Sequence, residues 1–179
     1  MNKIKIIPFI AISGVVVFLC GLFFAGLLLQ NPNAGRKFSA WMLGAEFVDT
    51  AFVVMQTKDN NCGPSALKMI FDHYRIFSTV EEIEKNAGLN EKGSSMLALK
   101  EMAAVKGLHA EGWKLSLDDF ANKQFPVLMF VHNDHFVVAD SVVNNVVFIR
   151  DPAIGRLKIH KSRLVNIWKG ETLVFKLVF

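Results

Sequence analysis

Cysteine is scarce: the 179 residues hold only Cys20 and Cys62. Cys20 lies inside an apolar N-terminal run, so Cys62 has no second thiol in the rest of the chain and an intramolecular disulfide there is excluded. One cysteine and five scattered histidines also lack the paired ligand spacing of a structural zinc site. No metal and no cofactor is expected. Acidic residues are missing from the first 37 positions, where Lys3, Lys5, Arg36 and Lys37 lie, and beyond them sixteen basic residues balance sixteen acidic ones. The net charge of +4 therefore belongs to the flanks of the apolar run. With no basic patch and no interleaving of aromatics with basic residues, a nucleic-acid binder is excluded. Internal repeats and low-complexity tracts are missing too. Tyrosine occurs once against 16 phenylalanines, a balance that points to core rather than surface aromatics.

What is present first is the apolar run. Residues 6–29 contain 24 side chains and no charge; as a helix they would extend about 36 Å, enough to span a bilayer. A cleaved signal peptide has a shorter apolar core and a small-x-small site after it, and "LLLQNPNAG" offers a poor one. Cys20 in "VFLCG" follows the bulky Leu19, which disfavours lipoprotein cleavage. Residues 1–30 are read as an N-terminal membrane anchor or signal segment, 31–46 as a linker broken by Asn, Pro and Gly, and 47–179 as one domain. The positive-inside bias is slight. A single anchor with a short basic head places the domain outside the cytoplasm, on the periplasmic side of a bacterial membrane.

Within the domain, helix signals come first. Pro64 suits a first helical turn, and Leu67, Ile70, Phe71 and Tyr74 recur at helical spacing. "STVEEIEKNAG" begins with a capping-box pattern and ends at Gly88. "SSMLALKEMAAVKG" runs from a serine cap to Gly107, and "LSLDDFANK" is a short fourth helix. The C-terminal half then changes to "PVLMFV", "HFVVAD", "NVVFIR", "RLKIH" and "TLVFKLVF", short and rich in Val, Ile and Phe. Helices followed by a mostly antiparallel sheet make an α+β fold.

Cys62 opens the first of these helices, where the dipole favours thiolate, and Gly63 gives the backbone freedom to turn and leaves room for a ligand. The competing reading is a small buried hydrophobe. A thiolate nucleophile needs a base and a group to orient that base. His135 opens a strand and can project toward a helix terminus, His132 belongs to a turn, His73 is solvated, and His109 and His160 lie near turns. Asp151 ends "VVFIR". It can orient His135 if the two strands pair so that these residues oppose each other, which demands a longer loop or a bulge around 141–145. A tight turn at Asn144-Asn145 would instead put Asp151 opposite Val138. Asp151 as a turn-former before Pro152 is an equally good reading, and Asp134 and Asp140 are weaker rivals. Gln56, six residues before Cys62, could supply an amide N–H to an oxyanion, or be a polar residue at a strand end.

Taken in order, Gln-x5-Cys-Gly-Pro-x-Ala-Leu, His-Phe-Val-Val-Ala-Asp and Asp-Pro-Ala-x-Gly resemble the bacteriocin-processing cysteine peptidases, papain-like enzymes that remove double-glycine leader peptides. The resemblance covers roughly 50–179. It implies a papain-like fold, Cys62 as nucleophile, His135 as base, Asp151 as orienting acid and Gln56 as oxyanion donor. It also implies a peptide or protein substrate and a link to an export apparatus. Many members are cytoplasmic domains of ABC exporters, whereas this chain has no ATPase motif and no multi-span membrane domain. A membrane-tethered module that binds peptide without cutting it, and a thioacyl transferase, are the competing functions.

Overall fold

The computed structural model describes residues 16–23, Gly26 and 31–177. The expected membrane helix at 6–29 therefore lies largely outside the described residues; its 16–23 portion is helical. Among the described residues no helix is long and apolar enough to cross a membrane. The chain divides into two compact units, 1–38 and 39–179.

The stretch expected as a linker contains helix α1 (Ala34–Met42), and the sheet already begins at β1 (Ala45–Phe47). Asn31 and Pro32 lie just ahead of α1 and lead into it. Asn31 O accepts from Ala34 N at 2.9 Å and Asn31 Oδ1 from Asn33 N at 3.0 Å, and Pro32 sits in the turn that these bonds close.

Three expected helices follow as α2 (Cys62–His73), α3 (Val80–Asn86) and α4 (Met96–Val105). Thr79 caps α3 by accepting from Glu82 N, and Ser95 caps α4 by accepting from Ala98 N. Strand β2 (Leu108–Lys114) then interrupts the helical half. Its "EGWK" end is exposed at a sheet edge and carries no apolar alternation. Next come α5 (Leu117–Ala121), β3 (Val127–Val131), β4 (His135–Val143), β5 (Val146–Asp151), β6 (Gly155–His160), α6 (Lys161–Leu164) and β7 (Trp168–Leu177). The seven strands form one sheet in the order β1-β6-β5-β4-β3-β7-β2, every neighbouring pair antiparallel.

The sheet is covered on both faces, which is why its central strands read as unbroken apolar runs. Leu128 and Val138 pack into a core with Leu67, Ile70, Phe71, Leu99 and Met102 from α2 and α4. Val127, Met129, Val137 and Ile149 pack on the other side with Phe120, Leu164 and Trp168. Each fully buried Leu, Ile or Phe contributes about 1.5–3 kcal/mol, so α2 is held to the sheet along its whole length. Tyr74, just past α2, reaches across to β7, where its hydroxyl donates to Phe175 O at 2.9 Å.

The β4–β5 hairpin corrects the pairing expected for the site. Its turn is the tight one, with Asn144 and Asn145 both at positive φ, the geometry that suits a right-twisted hairpin. Near the turn Val143 pairs with Val146 and Ser141 with Phe148; beyond it Ala139 pairs with Ile149 and Val138 with Arg150. The extra residue between these blocks is Asp140, so a bulge is present, but just before the expected 141–145 stretch. His135 and Asp151 are consequently diagonal neighbours rather than directly opposite.

The β5–β6 turn brings Asp151 opposite Gly155. Gly155 has φ +127, and a Cβ there would lie 2.6 Å from Asp49 O and 2.9 Å from the Phe47 ring. Gly155→Ala is expected to lower the unfolding free energy by about 2 kcal/mol, read by urea denaturation; unchanged stability would remove this account of the turn.

Candidate active site

Cys62 is the first residue of α2 and is 6% exposed. The residue before it, Asn61, occupies the cap position but makes no side-chain cap bond. Its buried side chain turns back instead. Oδ1 accepts from Thr57 N at 3.2 Å and Lys58 N at 3.1 Å, and Nδ2 donates to Thr57 Oγ1 and to Glu84 Oε1 at 2.8 Å. Glu84, on α3, also binds Lys58 Nζ at 2.5 Å. Asn61 and Glu84 thus hold the 57–61 loop and leave the helix N-terminus to the thiol. Sequence reasoning missed both: an asparagine ahead of a helix reads as an ordinary cap.

Gly63 does not open space for a ligand. A Cβ on it would lie 3.1 Å from Leu99 and 3.2 Å from Phe136; the missing side chain lets α2 pack closely on α4 and β4.

His135 opens β4, and its Nε2 donates to Asp151 Oδ1 at 2.9 Å. That leaves Nδ1 for Cys62, whose thiol interacts with the imidazole. Asp151 is 4% exposed, and the same Oδ1 accepts from Ala153 N at 2.7 Å and Ile154 N at 3.2 Å. The turn-forming and histidine-orienting readings of Asp151 are therefore both realised, by one oxygen. Bonds of this charged type contribute about 1.5–3 kcal/mol each.

The electrostatics follow from these contacts. Burial pushes the Cys62 thiol up, but the hydrogen bond from His135, the Phe136 and Gly63 backbone groups and the imidazolium charge outweigh it, and the thiol lies below its ordinary value. Burial likewise pushes His135 down, but the bonds to Asp151 and Cys62, with their charges, raise it to about 10. Opposite shifts on touching groups describe a thiolate–imidazolium pair, populated between the two titrations.

Gln56 is linked to this relay through its backbone. Its backbone N donates to Pro152 O at 2.9 Å, which ties its segment to the Asp151 turn. Its Nε2 donates to Lys58 O at 3.1 Å, while Oε1 is buried without a hydrogen-bond partner. The rival groups fall elsewhere: His109 meets Glu111 at 3.1 Å, His160 meets Ser162 at 2.8 Å, and Asp140 pairs with Arg150 at 2.7 Å. His132 and Asn133 form the β3–β4 turn at positive φ. A cleft of about 620 Å³ opens at Cys62, lined by Gly93, Ser94, Ser95, Met96, Phe130 and Phe136, with Asp134 at its rim. Among the described residues no cluster of His, Cys, Asp or Glu could hold a metal ion.

With Cys20→Ser leaving Cys62 as the only thiol, alkylation of Cys62 is expected to rise with an acid limb below the ordinary thiol value of about 8.5. His135→Ala removes the imidazole's hydrogen bond and charge and leaves the burial and the Phe136 and Gly63 backbone groups, so its limb should move upward. Limbs that coincide would show that the two side chains do not form an ion pair.

Residues 51–177 match the Peptidase C39 family. The chain is 31% identical over 122 residues to an uncharacterised protein of Methanothermobacter thermautotrophicus, covering 68% of this chain and 86% of that one. It is 28% identical over 131 residues to the probable functional amyloid protease FapD of Pseudomonas fluorescens, covering 67% of this chain and 58% of that one. A solved structure of a double glycine motif protease from an AMS/PCAT transporter, in complex with the leader peptide, superposes with a TM-score of 0.69 at 28% identity, covering 70% of this chain and 91% of the other. The match spans well over half of the chain, and the chain belongs to the Peptidase C39 family: it is a cysteine peptidase.

Proposed function

We propose that the protein removes leader-type segments from exported peptides or proteins, cutting after a double glycine through a thioacyl intermediate. The observation that carries this reading is the Cys62–His135–Asp151 relay, whose thiol end lines a cleft of about 620 Å³. Cys62 Sγ attacks the scissile carbonyl carbon, and the carbonyl π electrons move to oxygen. The Cys62 backbone N–H and Gln56 Nε2 stabilise that oxyanion, at about 3 kcal/mol per donor. The tie between Gln56 and Pro152 supports Gln56 in this role, and Nε2 has a second N–H beyond the one given to Lys58. As the C–N bond breaks, His135 passes its proton to the leaving amine. Water then gives a proton to His135 and attacks the thioester, the C–S bond breaks, and the thiolate returns. Asp151 holds the ring orientation throughout.

The substrate class rests on the likeness to a protease solved with its leader peptide. The small residues Gly93, Ser94 and Ser95 beside apolar Met96, Phe130 and Phe136 suit a narrow segment at the cut and apolar side chains further along. The uncharged run at 6–29 supports tethering by one N-terminal helix; a peptidase domain on the periplasmic side, next to an export apparatus, completes the proposal.

Cys62→Ala is expected to fold normally and to lose cleavage of a leader peptide by at least about a thousandfold, followed by mass spectrometry. Replacing either glycine before the cut by valine should stop cleavage by the parent enzyme. Unimpaired cleavage by Cys62→Ala would sink the mechanism, and indifference to the glycines would sink the substrate class. Addition of a free amine separates transfer from hydrolysis by product mass. In bacterial cells the domain should be digested by external protease once the outer envelope is opened; protection would place it on the cytoplasmic side.

A further inference from the structure

His135 and Asp151 stand on the two strands of one hairpin, and a single residue decides whether they share a face. The tight Asn144-Asn145 turn sets the pairing of Ser141 with Phe148. Continued without interruption, that register would put Asp151 opposite Val138, with His135 on the reverse face of the sheet. The bulge at Asp140 shifts the pairing by one residue and brings the two side chains to the same face. Packing records the shift: Val142 above the bulge and Ala139 and Val137 below it all join the same core, although strict alternation would separate them.

Apolar burial discriminates weakly between these two phases. The sheet is covered on both faces, and "FVVA" at 136–139 presents apolar side chains whichever way the strand is turned. A polar contact can do what the apolar pattern does not. Arg150, with its side chain 13% exposed, grips Asp140 in a forked contact: Nε lies 3.0 and 2.9 Å from the two carboxylate oxygens, and Nη2 lies 2.7 Å from Oδ1. Its Nη1 also donates to Phe52 O at 3.4 Å, in the segment leading to Gln56. Forked Arg–carboxylate pairs fix geometry as well as charge.

We propose that Asp140 and Arg150 are positioning residues of the peptidase: their ion pair holds the bulge of β4 and so sets the strand phase that brings His135 to Asp151. Neither residue touches the thiol. The inference rests on the Cys62–His135–Asp151 reading, and the parent enzyme's own titration tests that reading separately.

The test uses the full-length protein carrying Cys20→Ser, with Arg150→Met, Asp140→Asn and Arg150→Lys. Three experiments are run: steady-state kinetics giving kcat and KM on a cleavable leader peptide, the pH profile of Cys62 alkylation, and thermal melting. Arg150→Met and Asp140→Asn should lower kcat by about tenfold or more with KM nearly unchanged. Their alkylation limb should move toward that of His135→Ala, and Arg150→Lys should restore part of both. Folded variants that keep kcat and the acid limb within about twofold of the parent overturn the proposal, even if they melt earlier, since the pair would then be stabilising only. If Arg150→Met does not fold, Asp140→Asn and Arg150→Lys decide by the same criteria. A parent enzyme whose thiol titrates in the ordinary range overturns the relay, and the positioning role with it.

Discussion

A mostly buried imidazole touching a thiol on one side and a carboxylate on the other is the constraint that organises this domain. Burial alone would leave His135 neutral and Cys62 protonated, since both charged forms lose water. The carboxylate of Asp151 reverses that balance for the imidazole, and the imidazolium reverses it for the thiol. Each group is charged because the next one is in place. The surrounding structure supplies that placement: α2 pressed onto the sheet by its apolar face, Gly63 allowing the close approach, and the 152–154 turn fixing the carboxylate through two backbone amides.

Much of this was legible in the sequence, for identifiable reasons. Pro64 and the spacing of Leu67, Ile70 and Phe71 mark α2. Thr79 and Ser95 mark helix starts through hydroxyls that accept from backbone amides. The Val- and Phe-rich runs separated by Asn, Asp and Gly mark five of the seven strands. Cys62 as the thiol of a helix start, His135 at the head of a strand and Asp151 at the end of another are local readings, and local readings survive folding. β2 escaped because half of it lies at an exposed edge, where apolar alternation is not required. The 31–46 stretch holds more structure than a linker, since Asn and Pro serve equally to stop a helix and to lead into one.

Other features could not be read locally. Asn61 resembles a cap, and only tertiary structure shows its amide turned back to Thr57, Lys58 and Glu84. The phase of β4 is the plainest case. Its apolar residues satisfy either face, so the choice passes to a turn, a bulge and a charge pair in combination. Gln56 is intermediate: its segment is anchored at Pro152, while its side chain rests on the Lys58 carbonyl.

The path between nucleophile and base carries one more consequence. Cys62 and His135 are separated in the chain by three helices and two strands, so their meeting requires nearly the whole domain to be assembled. Before α2 docks on β4, Cys62 has no base and its thiol is an ordinary one. Chemical competence in such a protein is a property of the completed fold rather than of any fragment. A chain not yet fully folded, or one that has opened its core, presents an inert thiol instead of a loose protease.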